Sequence, residues 1–581
     1  MNQSRIDIGA KPDGGVPAMG GVRLWFERSS LVGHVLALAG VLLIALGLVM
    51  PSEVWSSDEG AIRLQAQVLE GRSEWFLDRP FADIDPEGVT SPIQASTVSG
   101  DQFAPFTKHP VTPLVVAAMP GGAGGWQVVL PSILGSLLAA TISALIAGWL
   151  HKPSRNYALW AMGLATPLFF YSFTVLHHTL GVAFAALAIA GAVRFATERS
   201  RVWLFASALS IFALPFVRRE GLLLAGALAV GVVVAHVFGG VARRISLAGM
   251  YVVAGGMGAV ANDALARGLA GQPSVIEGDR AFWSVERIVQ SFGSGLTAFD
   301  GIVTAAAAFV FLYVVGTILL CWVLVADPSN IRKHLLYAAT AVVGIAGIIF
   351  ISRPSLSGAV VAMPWIVGAL IAAKRSLRTN PLIRFLVVSG LLYVVAVLVT
   401  QERHAGGAQW GGRYLMLALP ALVPVAVVVL RQAIDGVPKR SLRATTVVAG
   451  AILIMTVVTS VSVLNAGRQT VASANVQWSM ASATVGEDGA GHRAVLLSPD
   501  SQLGRFGWSE VGAIDFFMIP SDLETYVSRY TDQEPERFIF MGSWDTEIEV
   551  LFADNGYGAS IPSDTSGPVD LTVIEPLRPT R

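Results

Sequence analysis

The chain has 581 residues, of which 53% are hydrophobic and only 14% are charged. Its mean hydropathy of +0.61 exceeds what the core of a soluble protein can bury, so the composition indicates an integral membrane protein. Forty basic residues balance forty acidic ones, which gives no reason to expect nucleic-acid binding, and the single cysteine, Cys321, excludes an internal disulfide and a cysteine-based metal site.

The chain starts with a polar, glycine- and proline-rich segment, 1–30, which does not fit a signal peptide and is predicted to be a retained cytoplasmic tail. Apolar stretches long enough to cross about 30 Å of hydrocarbon follow it. They lie near 32–50, 126–150, 157–174, 178–196, 202–217, 219–238, 246–266, 301–326, 335–351, 357–373, 383–400, 413–430 and 442–465. The sequence therefore predicts a mainly α-helical, polytopic membrane protein with about 13 transmembrane helices.

The charges between these stretches predict the orientation. Each short loop that falls on the inside, if the N-terminus is cytoplasmic, contains at least two lysines or arginines, as in "NIRKH". The first outer loop, 51–112, has ten acidic residues against four basic ones. Because loops rich in lysine and arginine stay in the cytoplasm, we expect a plasma (inner) membrane protein with its first loop and C-terminus outside.

The first outer loop begins with "WSSDEG", which places Asp58 and Glu59 directly after the first predicted span. The stretch 61–70 has the periodicity of an amphipathic helix that lies along the membrane surface. Near the end of the loop, "TKHP" brings Lys108 and His109 back to the bilayer, where the prolines allow a short interfacial helix to begin.

Three later segments place polar side chains at the same predicted outer face, in "LHHTL", "VRREG" and "AQWGGRYL". Charges beside an apolar span are costly unless they are paired or solvated, so such residues are candidates for a functional site. Arginine also suits phosphate, which it can hold by two parallel hydrogen bonds. The candidates are His178, Arg218, Arg219, Glu220, Gln409, Arg413 and Tyr414.

Each of these residues also has a structural interpretation. Asp58 and Glu59 could be solvated loop acids, the arginines could extend to the membrane interface, and the histidine could hydrogen-bond to the backbone. Tyr414 fits an ordinary aromatic belt at the edge of the bilayer. What favours a functional site is that the loop charges, considered independently, place all of them at one face.

The C-terminal segment, 466–581, is less apolar and alternates turn signals with short strand-like runs, "RAVLLS", "RFIFM" and "DLTVIE". It predicts a small extracytoplasmic α/β domain, whose role the sequence does not indicate. The expected organisation is thus a tail, 1–30, a transmembrane catalytic domain, 31–465, and this appendage.

The acidic pair after the first span, the long outer loop, the "KHP" motif and the dozen or so spans together resemble the GT-C glycosyltransferases that use polyprenyl-phosphate sugars. The closest likeness is to the protein O-mannosyltransferase and aminoarabinose-transferase branch of bacteria, and it is strongest over 32–220. The resemblance implies that Asp58 is the catalytic base with Glu59 as its neighbour. It places Lys108 and His109 near the acceptor and donor phosphate, and Arg218 or Arg219 with Arg413 on that phosphate.

Elementary chemistry agrees with this interpretation. A carboxylate can remove the proton of an acceptor hydroxyl while arginines or a lysine stabilise the phosphate that leaves, which predicts a single displacement with inversion. The predicted partners are a polyprenyl-phosphate-linked sugar, with mannose, arabinose or a similar sugar, membrane lipids, and a polysaccharide, lipid or protein acceptor in the cell envelope. No cofactor is required, and a divalent metal is possible but not indicated. The alternatives are a multi-spanning transporter or lipid flippase, or a non-catalytic envelope scaffold.

Overall fold

A computed structural model describes most of the transmembrane part and several pieces of the C-terminal segment. The described residues are 29–49, 53–72, 74–78, 97–99, 101–270, 289–292, 296, 304–351, 358–400, 411–435, 437–486, 495–498, 515–518, 527–528, 538–541, 546–564 and 571–577.

Long apolar helices dominate the fold. Within the described residues, eight helices are long and apolar enough to cross a membrane: Trp126–Leu150, His178–Glu198, Val241–Ala270, Ala307–Ala326, Ile331–Phe350, Pro381–Thr400, Arg413–Ile434 and Lys439–Ser473. Three shorter apolar helices are Leu31–Leu46, Arg201–Phe216 and Gly221–Val234. The protein is therefore a multi-pass membrane protein, and the prediction of a mainly α-helical polytopic fold is confirmed.

The two remaining predicted spans are broken helices. The stretch 157–174 consists of Arg155–Leu164 and Leu168–Tyr171, and 357–373 consists of Ala359–Ala362 and Pro364–Ala372. A proline stands at each break, and the residue before a proline is sterically pushed out of the helical region. Met363, which precedes Pro364, accordingly has φ −138° and ψ 53°. Pro167, at the first of these breaks, packs against Gly411 in the segment that leads into Arg413.

The first outer loop folds into the helix Ser57–Arg72, three short strands and the helix Val111–Ala117. The strands β1 (Leu77–Asp78), β2 (Thr97–Ser99) and β3 (Gln102–Ala104) form an antiparallel sheet in the order β1-β3-β2, with Phe103 opposite both Leu77 and Val98. Within the described part of this loop, the helix Ser57–Arg72 packs against the helix Val111–Ala117.

The C-terminal segment contains a five-stranded mixed sheet, as the strand-like runs predict. Its order is β5-β4-β6-β8-β7; β4 is parallel to β5 and β6, and β8 is antiparallel to β6 and β7. The strands are β4 (Val495–Ser498), β5 (Asp515–Met518), β6 (Phe538–Met541), β7 (Tyr557–Asp564) and β8 (Leu571–Pro576), with the helix Thr546–Asp554 between β6 and β7.

The last transmembrane helix is longer than the sequence indicates. It runs without a break from Lys439 to Gly486, so the predicted domain boundary at 466 lies inside a helix. Its residues beyond 466 still belong to the packed bundle, because Arg468 and Val471 are buried.

Candidate active site

Asp58 lies at the start of the helix Ser57–Arg72, which begins four residues before the predicted amphipathic stretch 61–70. Acidic side chains are favoured in the first turn, where backbone N–H groups lack partners within the helix. The Asp58 side chain is 38% exposed, whereas Glu59 is fully buried. Successive helical residues point about 100° apart, so one acid of the pair lies at the surface of the fold and the other in its core.

Glu59 is held by the backbone. Its Oε2 accepts a hydrogen bond from the backbone N–H of Trp55 at 2.7 Å, and its Oε1 accepts one from that of Val175, also at 2.7 Å. Glu59 therefore joins the helix of Asp58 to the segment that leads into His178.

Arg413 forms an ion pair with Asp58 across 355 residues of sequence, with 2.9 Å between Arg413 Nη1 and Asp58 Oδ2. Two glycines immediately before it make this possible. Gly411 and Gly412 have φ of +64° and +65°, values that glycine adopts readily. A Cβ at Gly411 would also lie 2.0 Å from Cγ of Pro167, at the helix break, so this position has no room for a side chain.

Tyr414 connects two arginines. Its ring faces the guanidinium carbon of Arg413 at 4.8 Å and that of Arg218 at 5.2 Å, and its hydroxyl accepts a hydrogen bond from Arg413 Nη2 at 2.9 Å. The backbone oxygen of Tyr414 accepts a hydrogen bond from the Tyr393 hydroxyl at 2.6 Å. Tyr414 is therefore part of the cluster rather than of an aromatic belt.

Arg218 is the buried cation of the site. Its Nη2 lies 3.0 Å from Glu220 Oε1, and both side chains are more than nine-tenths buried. Its Nη1 contacts the ring of His178, which in turn packs edge-on against Tyr171 with 4.9 Å between ring centroids. The predicted Arg-Arg-Glu segment thus contributes one arginine and the glutamate to the cluster.

Arg219 points elsewhere. It pairs with Asp263 at 3.1 Å, and both side chains are about half exposed. The two adjacent arginines, which the sequence does not distinguish, are therefore separated by the fold.

Lys108 and His109 lie at the edge of the cluster. The Lys108 side chain is exposed, and its backbone oxygen accepts a hydrogen bond from Asn262 Nδ2 at 3.5 Å. His109 is buried, and this burial lowers its pKa well below the usual range, with the charges of Lys108 and Arg218 acting in the same direction. His109 is therefore a neutral group at neutral pH. The remaining candidate, Gln409, lies outside the described residues.

Four helices begin at this cluster. His178 starts the helix His178–Glu198, Glu220 precedes Gly221–Val234, Arg413 starts Arg413–Ile434, and Asp58 lies in the first turn of its own helix. The N-terminus of a helix carries a partial positive charge and free N–H groups, which favour anions. Together with Arg218 and Arg413, they make this end of the bundle suitable for a phosphate group, beside the partly exposed carboxylate of Asp58.

Two further arginines, Arg63 and Arg468, are buried close to Glu59, and no motif in the sequence marks them as site residues. Arg63 is fully buried and donates to the backbone oxygen of Ala123 at 3.0 Å; burial lowers its pKa to about 10, while Glu59 opposes that shift. Arg468 is also fully buried, lies close enough to Glu59 for electrostatic attraction and donates to the backbone oxygen of Phe173 at 2.5 Å. The sequence contains one signal for Arg468. Arg468 follows Leu464 by four residues and precedes Val471 by three, so it lies on the same helical face as these two apolar residues, and all three are buried.

No group of three or more histidine, cysteine, aspartate or glutamate side chains within the described part of the chain is arranged to hold a metal ion.

Comparison with known proteins gives the fold. No family model matches the sequence, and no curated protein sequence matches it. Among solved structures, the chain is similar to the crystal structure of ArnT from Cupriavidus metallidurans in the apo state, with a TM-score of 0.51 and 13% sequence identity. The match covers 94% of this chain and 98% of ArnT. At this identity the similarity shows that the two chains share a fold.

Proposed function

We propose that the protein is a membrane glycosyltransferase that transfers a sugar from a polyprenyl-phosphate donor to an acceptor hydroxyl in the cell envelope. The observation that carries the proposal is the 2.9 Å contact between Asp58 and Arg413, in a cluster that also contains Arg218, His178 and Tyr414. It combines a general base with an anion-binding site at one end of a GT-C fold. ArnT, a GT-C aminoarabinose transferase, has the same fold and supports the assignment.

Asp58 has the position expected of the base. It is partly exposed, so an acceptor hydroxyl can approach its carboxylate, and a carboxylate within hydrogen-bond reach can take the hydroxyl proton as the bond to the anomeric carbon forms. Arg413 occupies one of its oxygens in the structure. A donor phosphate bound at Arg413 would compete with Asp58 for that guanidinium and weaken the ion pair. Donor binding would therefore make the Asp58 carboxylate a better acceptor for the hydroxyl proton.

Arg413 and Arg218 have the positions expected of phosphate ligands. As the glycosidic bond breaks, negative charge develops on the leaving phosphate, and two guanidinium groups and the four helix N-termini would stabilise it. Arg218 is kept in place by Glu220, and Tyr414 lies between the two arginines. Lys108, exposed at the edge of the cluster, is suited to the approach of the anionic donor.

Glu59 is a positioning residue in this mechanism. Both of its carboxylate oxygens accept backbone hydrogen bonds inside the core, which leaves the chemical role to Asp58. With one carboxylate acting as a base and none as a nucleophile, transfer proceeds by a single displacement and inverts the anomeric carbon. The site is extracytoplasmic in the orientation that the loop charges predict.

The proposal is tested with purified protein in lipid nanodiscs and a panel of radiolabelled polyprenyl-phosphate sugars, with an envelope extract as the acceptor. Asp58→Asn removes the base but keeps the shape and a hydrogen-bonding oxygen, so transfer should fall by about 10² to 10⁴ while the donor still binds. Asp327→Asn is a matched control, because Asp327 also pairs with a basic side chain, Lys333, at 3.5 Å, but lies in the connection between the helices Thr304–Ala326 and Ile331–Ile351; its activity should stay within about threefold of wild type.

Full activity of Asp58→Asn would remove Asp58 as the base. No transfer by folded wild-type protein with any donor would argue against a glycosyltransferase and would direct the work to lipid-flux assays.

A further inference from the structure

A cavity of about 380 Å³ lies in the half of the bundle away from the candidate active site. Its size is within the range of ligand pockets, and aliphatic and aromatic side chains form most of its walls. The walls come from the helices Arg155–Leu164, Thr304–Ala326, Pro364–Ala372, Leu419–Ile434 and Lys439–Gly486.

The cavity is separate from the candidate active site. At its inner end Trp365 donates a hydrogen bond to the backbone oxygen of Ala165 at 3.1 Å, and both residues line the cavity. Pro167, two residues further along the chain, packs against Gly411 on the other side. The helix break around Pro167 therefore forms a floor between the cavity and the segment that carries Arg413.

A buried charge lies at the other end of the cavity. Arg431 lines the cavity, is 4% exposed, faces the ring of Tyr157 at 5.6 Å and pairs with Asp435 at 2.7 Å. The helix Arg413–Ile434 has 22 residues and is therefore about 33 Å long. Arg431 consequently lies near the membrane face opposite to that of Arg413.

More positive charge surrounds this end. Lys439, Arg440 and Arg443 are exposed in the first turns of the helix whose residues Thr445 and Val448 line the cavity. A single acid, Asp435, pairs with Arg431 within the described residues. The end of the cavity at Arg431 is thus surrounded by basic residues, whereas its walls are apolar.

The apolar wall also contains a polar group that needs a partner. The hydroxyl of Thr317 is buried and makes no hydrogen bond within the described part of the chain. A buried hydroxyl without a hydrogen bond is unfavourable.

We propose that this cavity binds one anionic phospholipid, with an acyl chain along the apolar walls and its phosphate at Arg431. An amphipathic molecule with a negative head matches the apolar walls, the buried arginine and the basic residues at that end of the cavity. Basic pockets between transmembrane helices on the cytoplasmic side are suited to such headgroups, and that is the side on which the loop charges place Arg431. The site is independent of sugar transfer, so the proposed function can fail without affecting it.

The test is native mass spectrometry of the purified full-length protein, titrated in detergent with phosphatidylglycerol or phosphatidylcholine of identical acyl chains. Wild type should bind one phosphatidylglycerol about tenfold more tightly than phosphatidylcholine. Arg431→Gln should abolish this preference, and Arg431→Lys should keep most of it.

Ala449→Trp, which fills the cavity from its wall, should abolish the tight binding of either lipid. Arg332→Gln removes an exposed arginine away from the cavity and should change nothing.

Size-exclusion chromatography and thermal unfolding check that each variant is folded; if Ala449→Trp is not, the pair of Arg431 variants still decides the outcome. Equal affinity of wild type for the two lipids, or an unchanged preference in Arg431→Gln, would overturn the proposal. Displacement of phosphatidylglycerol from the wild-type protein by an equimolar polyprenyl phosphate, together with loss of polyprenyl-phosphate binding in Ala449→Trp, would show that the cavity is instead a site for the carrier lipid.

Discussion

At the scale of single residues, two adjacent carboxylates have different environments. Glu59 is fully buried, and each of its carboxylate oxygens accepts a hydrogen bond from a backbone N–H group. Asp58 is partly exposed and is paired with a side chain, Arg413. A contact between side chains is exchanged for a ligand more readily than buried backbone hydrogen bonds are, which supports Asp58 as the proposed base.

Arg413 is the residue through which donor binding and the base would be coupled. Arg413→Ala should raise the apparent KM for the lipid donor by about tenfold to a hundredfold, because a charge-assisted, two-pronged phosphate contact is lost. Arg413→Lys should restore only part of the affinity for the lipid donor, because an ammonium group cannot form two parallel hydrogen bonds to a phosphate.

The measurement for Arg413 is initial transfer rate against donor concentration in nanodiscs. Arg201→Ala, which removes an exposed arginine at the opposite end of the helix Arg201–Phe216 from Arg218, serves as the control. An unchanged donor KM in Arg413→Ala would remove Arg413 from the phosphate site.

At the scale of elements, the site depends on where helices start. The Gly411–Gly412 turn, which has positive φ at both residues, leads into Arg413. Gly411 packs so closely against Pro167 that this position has no room for a Cβ. His177 makes a similar turn before the helix His178–Glu198, with φ of 48°, a value that costs energy for a residue other than glycine. Helix starts therefore place the polar groups at the end of the bundle, while the helix bodies remain apolar.

The helix Lys439–Gly486 fixes one of these starts through Arg468. The buried guanidinium holds the backbone oxygen of Phe173 and compensates the charge of Glu59, so it links the last helix to the segments of both Asp58 and His178. Arg468→Met should lower the free energy of unfolding by about 1 to 3 kcal/mol, because Glu59 loses a compensating charge and the Phe173 oxygen loses a donor.

Thermal unfolding in detergent checks the change at Arg468, with Gln469→Met, an exposed neighbour on the same helix, as the control. The double variant with Glu59→Gln should be less destabilised than the sum of the two single variants, because the two residues interact. Additive effects would contradict the coupling.

At the scale of the whole molecule, the fold separates two kinds of site. The acid and the cations of the candidate active site lie at the end where four helices start, and the apolar cavity with Arg431 lies towards the other end. The floor around Pro167 and Trp365 keeps them apart. If both proposals hold, the bundle binds an anionic ligand near each of its two ends.

The orientation of the bundle can be measured with single cysteines. In a Cys321→Ala background, a membrane-impermeant maleimide should label Asp101→Cys in intact cells, and should label Arg332→Cys only after permeabilisation. Both positions are exposed in the structure, and the positive-inside rule places Asp101 outside and Arg332 inside. The reverse labelling pattern would place the candidate active site in the cytoplasm.

Much of the fold could be predicted because its signals are local. Each of the thirteen apolar stretches corresponds to a helix or a pair of broken helices, and the runs "RAVLLS", "RFIFM" and "DLTVIE" correspond to β4, β6 and β8. The hydrophobic effect acts on every stretch according to its own composition, so a window of about 20 residues contains the necessary information.

The sequence by itself determined the membrane class, the spans and a short set of candidate residues. Only the tertiary structure decided which candidates meet: Asp58 with Arg413, Arg218 with Glu220 and His178, but Arg219 with Asp263. It also brought Arg468 to Glu59. The physical reason is that composition and periodicity describe a helix and its faces, whereas pairing across as many as 355 residues depends on how helices pack and where their first turns point.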